Sequence, residues 1–124
     1  IADVPHQRIE GIEVKIMPVA EFSLEMVDGK KAICFDADTL FAATNGQLKV
    51  RTPREGDRFV PFGMQGSRKL SDFFNDTKVG DYEKRTTRIL TDLHGKILWV
   101  VGKRATNHFR VGKSTRRVMV LISE

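Results

Sequence analysis

Arg51, Arg54 and Arg58 stand around a Gly56-Asp57 turn in the stretch Arg51 to Phe74. Guanidinium groups grip phosphate oxygens bidentately and lysines add point charges, so cations clustered in this way suit contact with a nucleic-acid backbone. The stretch continues through Phe59-Val60-Pro61-Phe62, a loop punctuated by Gly63 and Gly66, a basic exit at Arg68-Lys69, and an amphipathic run from Leu70 to Phe74. Asp57 is placed to hold backbone N–H groups or a neighbouring arginine. As a general base it has no partner acid or nucleophile near in sequence. Further cations follow: Lys78, Lys84, Arg85 and Arg88 on or after helices, then Lys103, Arg104, Arg110, Lys113, Arg116 and Arg117 around the C-terminal strands. Aromatic residues are few beside them, which favours a structured RNA or duplex read by shape over a single strand read by stacking.

Other chemistries find less support. Gly56, Gly63 and Gly66 match neither GxxxxGK[ST] nor GxGxxG, and the serines lack a nucleophile-elbow context. His6, His94 and His108 share no metal-ligand spacing, so no metal site is expected. Asp36 and Asp38 lack a further ligand nearby, and Asp38 reads instead as the N-cap of a short turn over Thr39 to Ala43. The single Cys34, between Ile33 and Phe35, reads as a buried structural thiol and fits a reducing compartment, hence a cytoplasmic location. No catalytic residue and no cofactor are assigned to this chain, and no apolar run approaches the roughly 20 residues that span a bilayer.

With 124 residues, 40% hydrophobic and 30% charged, the composition fits one folded unit with a modest core. The net charge of +5 is uneven: residues 1–48 carry four Lys/Arg against eight Asp/Glu, and residues 49–124 carry 17 against eight. We therefore expect an acidic lead-in over 1–48 and a basic unit over 49–124 that meets a polyanion. The chain begins at Ile1, and we expect it to be a domain of a larger protein.

Periodicity predicts the elements that must position these cations. Residues 8–19 alternate as one strand ended by Pro18, and Phe22 to Val27 alternates as a second. Asp28-Gly29 would turn it into a hairpin with Lys31 to Phe35, making an antiparallel meander. Gln47 to Arg51 reads as a strand after an Asn45-Gly46 turn. Leu70, Phe73 and Phe74 share one face of a helix running to Lys78, and Asp81 caps a second short helix. Thr87 to Leu93, Ile97 to Val101 with Trp99, and Arg116 to Ile122 read as strands, the last apolar on both faces and therefore central. Gly102 to Asn107 reads as a basic loop. The expected class is α+β: compact antiparallel β structure, sandwich- or barrel-like, with two short helices.

Three ordered motifs carry a resemblance: R-x-x-R-E-G-D-R-F-x-P-x-G-M from Arg51, S-R-K-L-S-D-F-F-x-D-x-K-V from Ser67, and I-L-W-V-V-G-K-R from Ile97. With the upstream F-D-A-D-T-L, they resemble the C-terminal domain of bacterial tRNA(Ile)-lysidine synthetases over about residues 33 to 119. The resemblance implies a fold shared with a domain of the phenylalanyl-tRNA synthetase β subunit. It also implies a parent ligase that uses ATP and Mg to adenylylate the wobble cytidine of tRNA(Ile) and attach lysine. The parent's S-G-G-x-D-S phosphate-binding motif does not occur here, so we expect this chain to be inactive alone and to partner tRNA(Ile) and the catalytic domain. In the family this domain grips the tRNA around the acceptor stem. Carried onto this chain, Arg51, Arg54, Arg58, Arg68, Lys69, Lys78, Lys103 and Arg104 become the expected tRNA contacts. Gly56, Asp57, Pro61 and Gly63 become the residues that shape the turn and loop. The sequence departs from the family at Gly80-Asp81, where a proline is expected. The alternative is a structural module that braces the catalytic domain or a homodimer, its charge incidental.

Overall fold

The last strand of the chain holds the first part of it together. The computed structural model describes residues 1–124. Arg117–Ser123 (β10) lies between Ile12–Pro18 (β2) and Ala32–Asp36 (β3), antiparallel to both, and His6–Ile9 (β1) completes a sheet of order β1-β2-β10-β3. Val118, Met119, Val120 and Leu121 are all buried, as expected of a strand apolar on both faces.

The acidic lead-in departs from the expected meander. The run from Arg8 breaks at Glu10 and Gly11, with φ of 43° and 79°, into a hairpin of β1 and β2. A two-residue turn of this hand needs positive φ at both positions. Phe22 to Val27 is not a strand: Val19–Glu21 and Leu24–Met26 form 3-10 turns, the second capped by Ser23, whose Oγ accepts from Glu25 N at 3.3 Å. The segment meets its main-chain hydrogen bonds within itself, Met26 N donating to Ser23 O at 2.9 Å and Val27 N to Leu24 O at 3.3 Å, and the outer edge of β3 carries no further strand. Asp28-Gly29 does turn the chain, its carboxylate accepting from Lys30, Lys31 and Ala32 N–H at 2.9, 2.9 and 3.0 Å. β3 then pairs with β10 instead of folding back as a hairpin.

Ala37–Thr44 forms a two-turn helix (α1), so the chain has three helices, one more than expected. Its cap is Asp36, which accepts from Thr39 N at 3.1 Å and, through its other oxygen, from Thr115 Oγ at 2.8 Å. Asp38 sits inside the first turn and binds Arg117. Asn45, with φ of 53°, closes the helix in the left-handed conformation.

Leu48–Arg51 (β4), Ile89–Asp92 (β7), Ile97–Val100 (β8) and Arg104–Ala105 (β9) make a second antiparallel sheet, so part of the expected Gly102–Asn107 loop is a short edge strand. A ribbon of Arg58–Phe59 (β5) and Arg68–Lys69 (β6) leads into Leu70–Asp76 (α2), and Asp81–Thr86 (α3) follows with Gly80, not Asp81, at its N-cap. The main core lies between the sheets around Phe35, Leu40, Trp99 and Met119, and Trp99 Nε1 donates to Lys30 O at 3.1 Å. A second cluster packs Leu70, Phe73 and Phe74 against Phe59, Ile89 and Val100, as the helical spacing of those three residues predicts. Phe62 does not join the core and is 50% exposed.

Replacing Asp36 with alanine removes a helix cap and strips the buried Thr115 hydroxyl of its acceptor. The expected cost is about 2 kcal/mol in urea unfolding, against under about 1 kcal/mol for Asp38→Ala at the surface.

Candidate nucleic-acid interface

The turn between β4 and β5 is closed by one carboxylate. Gly56 supplies a φ of 87° that other residues rarely adopt, and Asp57 N donates back to Arg54 O at 3.2 Å. Asp57 Oδ1 and Oδ2 each accept from Arg51 at 2.9 Å, and Oδ2 also accepts from Arg54 N at 2.8 Å. Asp57 O takes Leu70 N at 2.8 Å, tying the turn to the start of α2. Burial alone would raise the Asp57 carboxyl, but the Arg51 guanidinium and the Arg54 N–H outweigh it and hold the group below its ordinary range.

This wiring sorts the cations. Arg51 is committed to Asp57 and Thr52 O, with its side chain only 15% exposed. Arg54 makes no ion pair, and its main-chain N–H is what the turn holds. It lines a groove of about 510 Å³ with Lys69, Lys84 and Arg85, over a floor of Leu70 and Phe74. Lys84 donates to Asn75 Oδ1 at 2.8 Å and stands 4.0 Å from Asp81; Lys69 and Arg85 make no ion pair. Lys84 and Arg85 lie outside the set expected from sequence, because short α3 carries no apolar stripe to reveal which face turns to the groove.

The other expected contacts lie elsewhere. Arg58 is exposed on the β5–β6 ribbon, its Nε donating to Ser67 Oγ at 3.2 Å. Arg68 and Lys103 form ion pairs with Asp76 and Glu83. Lys78 adopts a φ of 57° just after α2, and the Arg104 guanidinium lies 5.6 Å from the Phe73 ring centre. Pro61 bridges to Thr106, while Gly63, with φ of 86°, donates its N–H to Asn107 Oδ1 at 3.1 Å, pinning the loop after β5 to the segment after β9.

The C-terminal basic cluster divides too. Arg117 is bound by Asp3 and Asp38 from the lead-in, and these hydrogen bonds hold its proton more tightly than usual. Arg110 stacks over Phe62 at 4.9 Å. Among the possible metal ligands, no three His, Cys, Asp or Glu side chains come together. No helix is long and apolar enough to cross a membrane.

The profile of the TilS substrate C-terminal domain family matches residues 48–122. The tRNA(Ile)-lysidine synthase of Parabacteroides distasonis is 39% identical over 118 residues, covering 95% of this chain and 25% of that protein. The chain thus spans about a quarter of the length of this relative. A crystal structure of a TilS C-terminal domain superposes with a TM-score of 0.69 at 26% identity, covering 90% of this chain and 82% of that one. An N-terminal fragment of the phenylalanyl-tRNA synthetase β subunit from Pyrococcus horikoshii shares the fold at a TM-score of 0.59 and 17% identity, over 74% of this chain and 27% of that one. The α+β class, the resemblance to the lysidine synthetase C-terminal domain and the fold shared with the phenylalanyl-tRNA synthetase β subunit are borne out. By the residues matched and the identity along nearly its whole length, the chain belongs to the TilS substrate C-terminal domain family of tRNA(Ile)-lysidine synthases.

Proposed function

We propose that this chain is the RNA-docking module of a tRNA(Ile)-lysidine synthase, holding tRNA(Ile) while a separate part of the same enzyme does the chemistry. The convergence of Arg54, Lys69, Lys84 and Arg85 on one groove carries the proposal. Three of those four make no ion pair within the chain, so their charge is available to a ligand. A groove edged by cations over a short apolar floor suits a phosphate backbone followed by shape, as in duplex RNA. In this reading the duplex is the acceptor region of the tRNA. ATP and Mg act in the catalytic part of the parent, and neither is assigned to this chain.

Arg51 and Asp57 are positioning residues in this scheme. They fix the turn that presents Arg54, and neither needs to touch the ligand. Arg58 and Arg104 extend the basic surface beyond the groove, whereas Arg68 and Lys103 reach RNA only by giving up carboxylate partners.

Binding of a tRNA(Ile) transcript, followed by fluorescence anisotropy, should weaken about 100-fold between roughly 50 and 200 mM salt if about four phosphates are neutralised. The double variant Arg54→Ala, Lys84→Ala should lower the log–log salt slope by about two and weaken binding at every salt concentration. Salt-independent binding by the native chain would overturn the proposal.

The Asp57→Asn variant tests the positioning role. A carboxylate depressed in the fold stabilises it fully above the ordinary carboxylate range, and that contribution fades as pH falls through the depressed value. Asp57→Asn should therefore be about 2–3 kcal/mol less stable near pH 7, and its deficit should shrink below about pH 4. RNA affinity should fall at neutral pH with the salt slope nearly unchanged, since no phosphate contact has been deleted.

A further inference from the structure

A second depression, of about 520 Å³, opens between β3 and β9 and is separate from the basic groove. Its walls are apolar: Leu24, Val27, Ile33, Cys34, Phe62 and Ala105. Leu24 is 79% exposed and Phe62 50% exposed, so two large apolar side chains face solvent in this one depression. Lys30, Lys103 and Arg104 stand at the rim, and Arg110 covers the Phe62 ring. Asp28 supplies the acid there, and its carboxylate is turned onto its own loop by three N–H groups.

The strand register adds a polar feature to this apolar depression. Lys31 O accepts from Ser123 N at 2.8 Å, so by antiparallel alternation positions 33 and 35 face β10, while 32, 34 and 36 face outward. Ala32 is satisfied by its own loop, with Asp28 N and Gly29 N donating to its carbonyl. Asp36 N donates to Phe109 O at 2.8 Å, and Asp36 O accepts from Thr39 Oγ1 at 3.2 Å. Cys34 is left with an N–H and a C=O that no other residue meets, and it lines the depression. Its thiol, pushed up by burial, is a neutral part of the wall.

Which ligand uses one free N–H and C=O pair among apolar walls and cations? An added peptide strand needs several open ladder positions at two-residue spacing, and β3 offers one. A second copy of the chain would bring one basic rim against another. A nucleobase presents one adjacent donor and acceptor on its edge, stacks on apolar surface, and carries a phosphate that the rim cations would meet. We propose that this depression receives one unpaired nucleotide of the docked RNA, its base against Phe62 and Leu24, its edge on the Cys34 main chain and its phosphate toward Lys30 and Arg104. The site rests on the RNA-docking reading and adds to it a preference for duplex that ends in, or is interrupted by, single strand.

The test compares a short blunt RNA duplex with the same duplex carrying a single-stranded 3′ tail, measured with the 124-residue chain and its Phe62→Ala and Leu24→Ala variants. The native chain should hold the tailed duplex about tenfold more tightly. The variants should lose that preference while holding the blunt duplex as the native chain does, with an unchanged salt slope. Equal affinity of the native chain for both duplexes overturns the site and leaves the basic groove standing. Binding of neither overturns both readings. If both duplexes bind alike and Phe62→Ala instead loosens the contact between this chain and the rest of the enzyme, the depression is a protein contact and the nucleotide assignment is wrong.

Discussion

The carboxylate of Asp57 is the contact on which the basic surface depends. It closes the turn through the Arg54 N–H and fixes Arg51, while the main-chain oxygen of the same residue holds the start of α2. Without it, the positive charges at Arg51 and Arg54 would repel along a glycine-containing turn held only by main-chain hydrogen bonds. A charge-assisted bidentate pair is among the few surface interactions strong and directional enough to hold such a loop. It also consumes one arginine, so part of the apparent RNA-binding charge is spent on presenting the rest.

The same division recurs across the chain. Arg117 is bound by Asp3 and Asp38, which fastens the acidic lead-in to the final strand. Asp36, opposite Val118 in the same sheet, caps α1 and receives the Thr115 hydroxyl. Two acids of the first 48 residues thus lie against the one cation of the last strand, while Arg54, Lys69 and Arg85 make no such pairs. Net charge alone does not distinguish a committed cation from one available to a phosphate. The pairing map does.

How much of this was legible in the sequence follows from which forces are local. The apolar spacing of Leu70, Phe73 and Phe74, the Gly56-Asp57 turn and the two-faced apolar run of β10 all report their structure directly, because side-chain period and turn chemistry are local properties. Phe22 to Val27 misled because alternation is necessary for a strand but not sufficient, and the Ser23 cap with its tight local turns satisfies this segment without a partner strand. The cap of α1 is Asp36 and not the expected Asp38, a choice that rests on Thr115 and Arg117, which only the folded chain brings near. The groove's membership was the least legible part, since Lys84 and Arg85 come beside Arg54 only in the folded chain and not through any shared motif.

Two kinds of unmet valence remain on the folded surface: unpaired cations around the Arg54 groove, and the Cys34 main chain within an apolar depression. The two ask for different parts of one molecule. Cations attract phosphate at any sequence and lose strength in salt, whereas apolar walls with a fixed donor and acceptor suit a base. A duplex satisfies the first and offers nothing to the second, because its base edges are paired and its faces stacked. An RNA that is double-stranded in one place and single-stranded nearby satisfies both. Under the proposed reading, the two sites together would favour a ligand with both kinds of secondary structure, through charge and shape and not through base-pair readout.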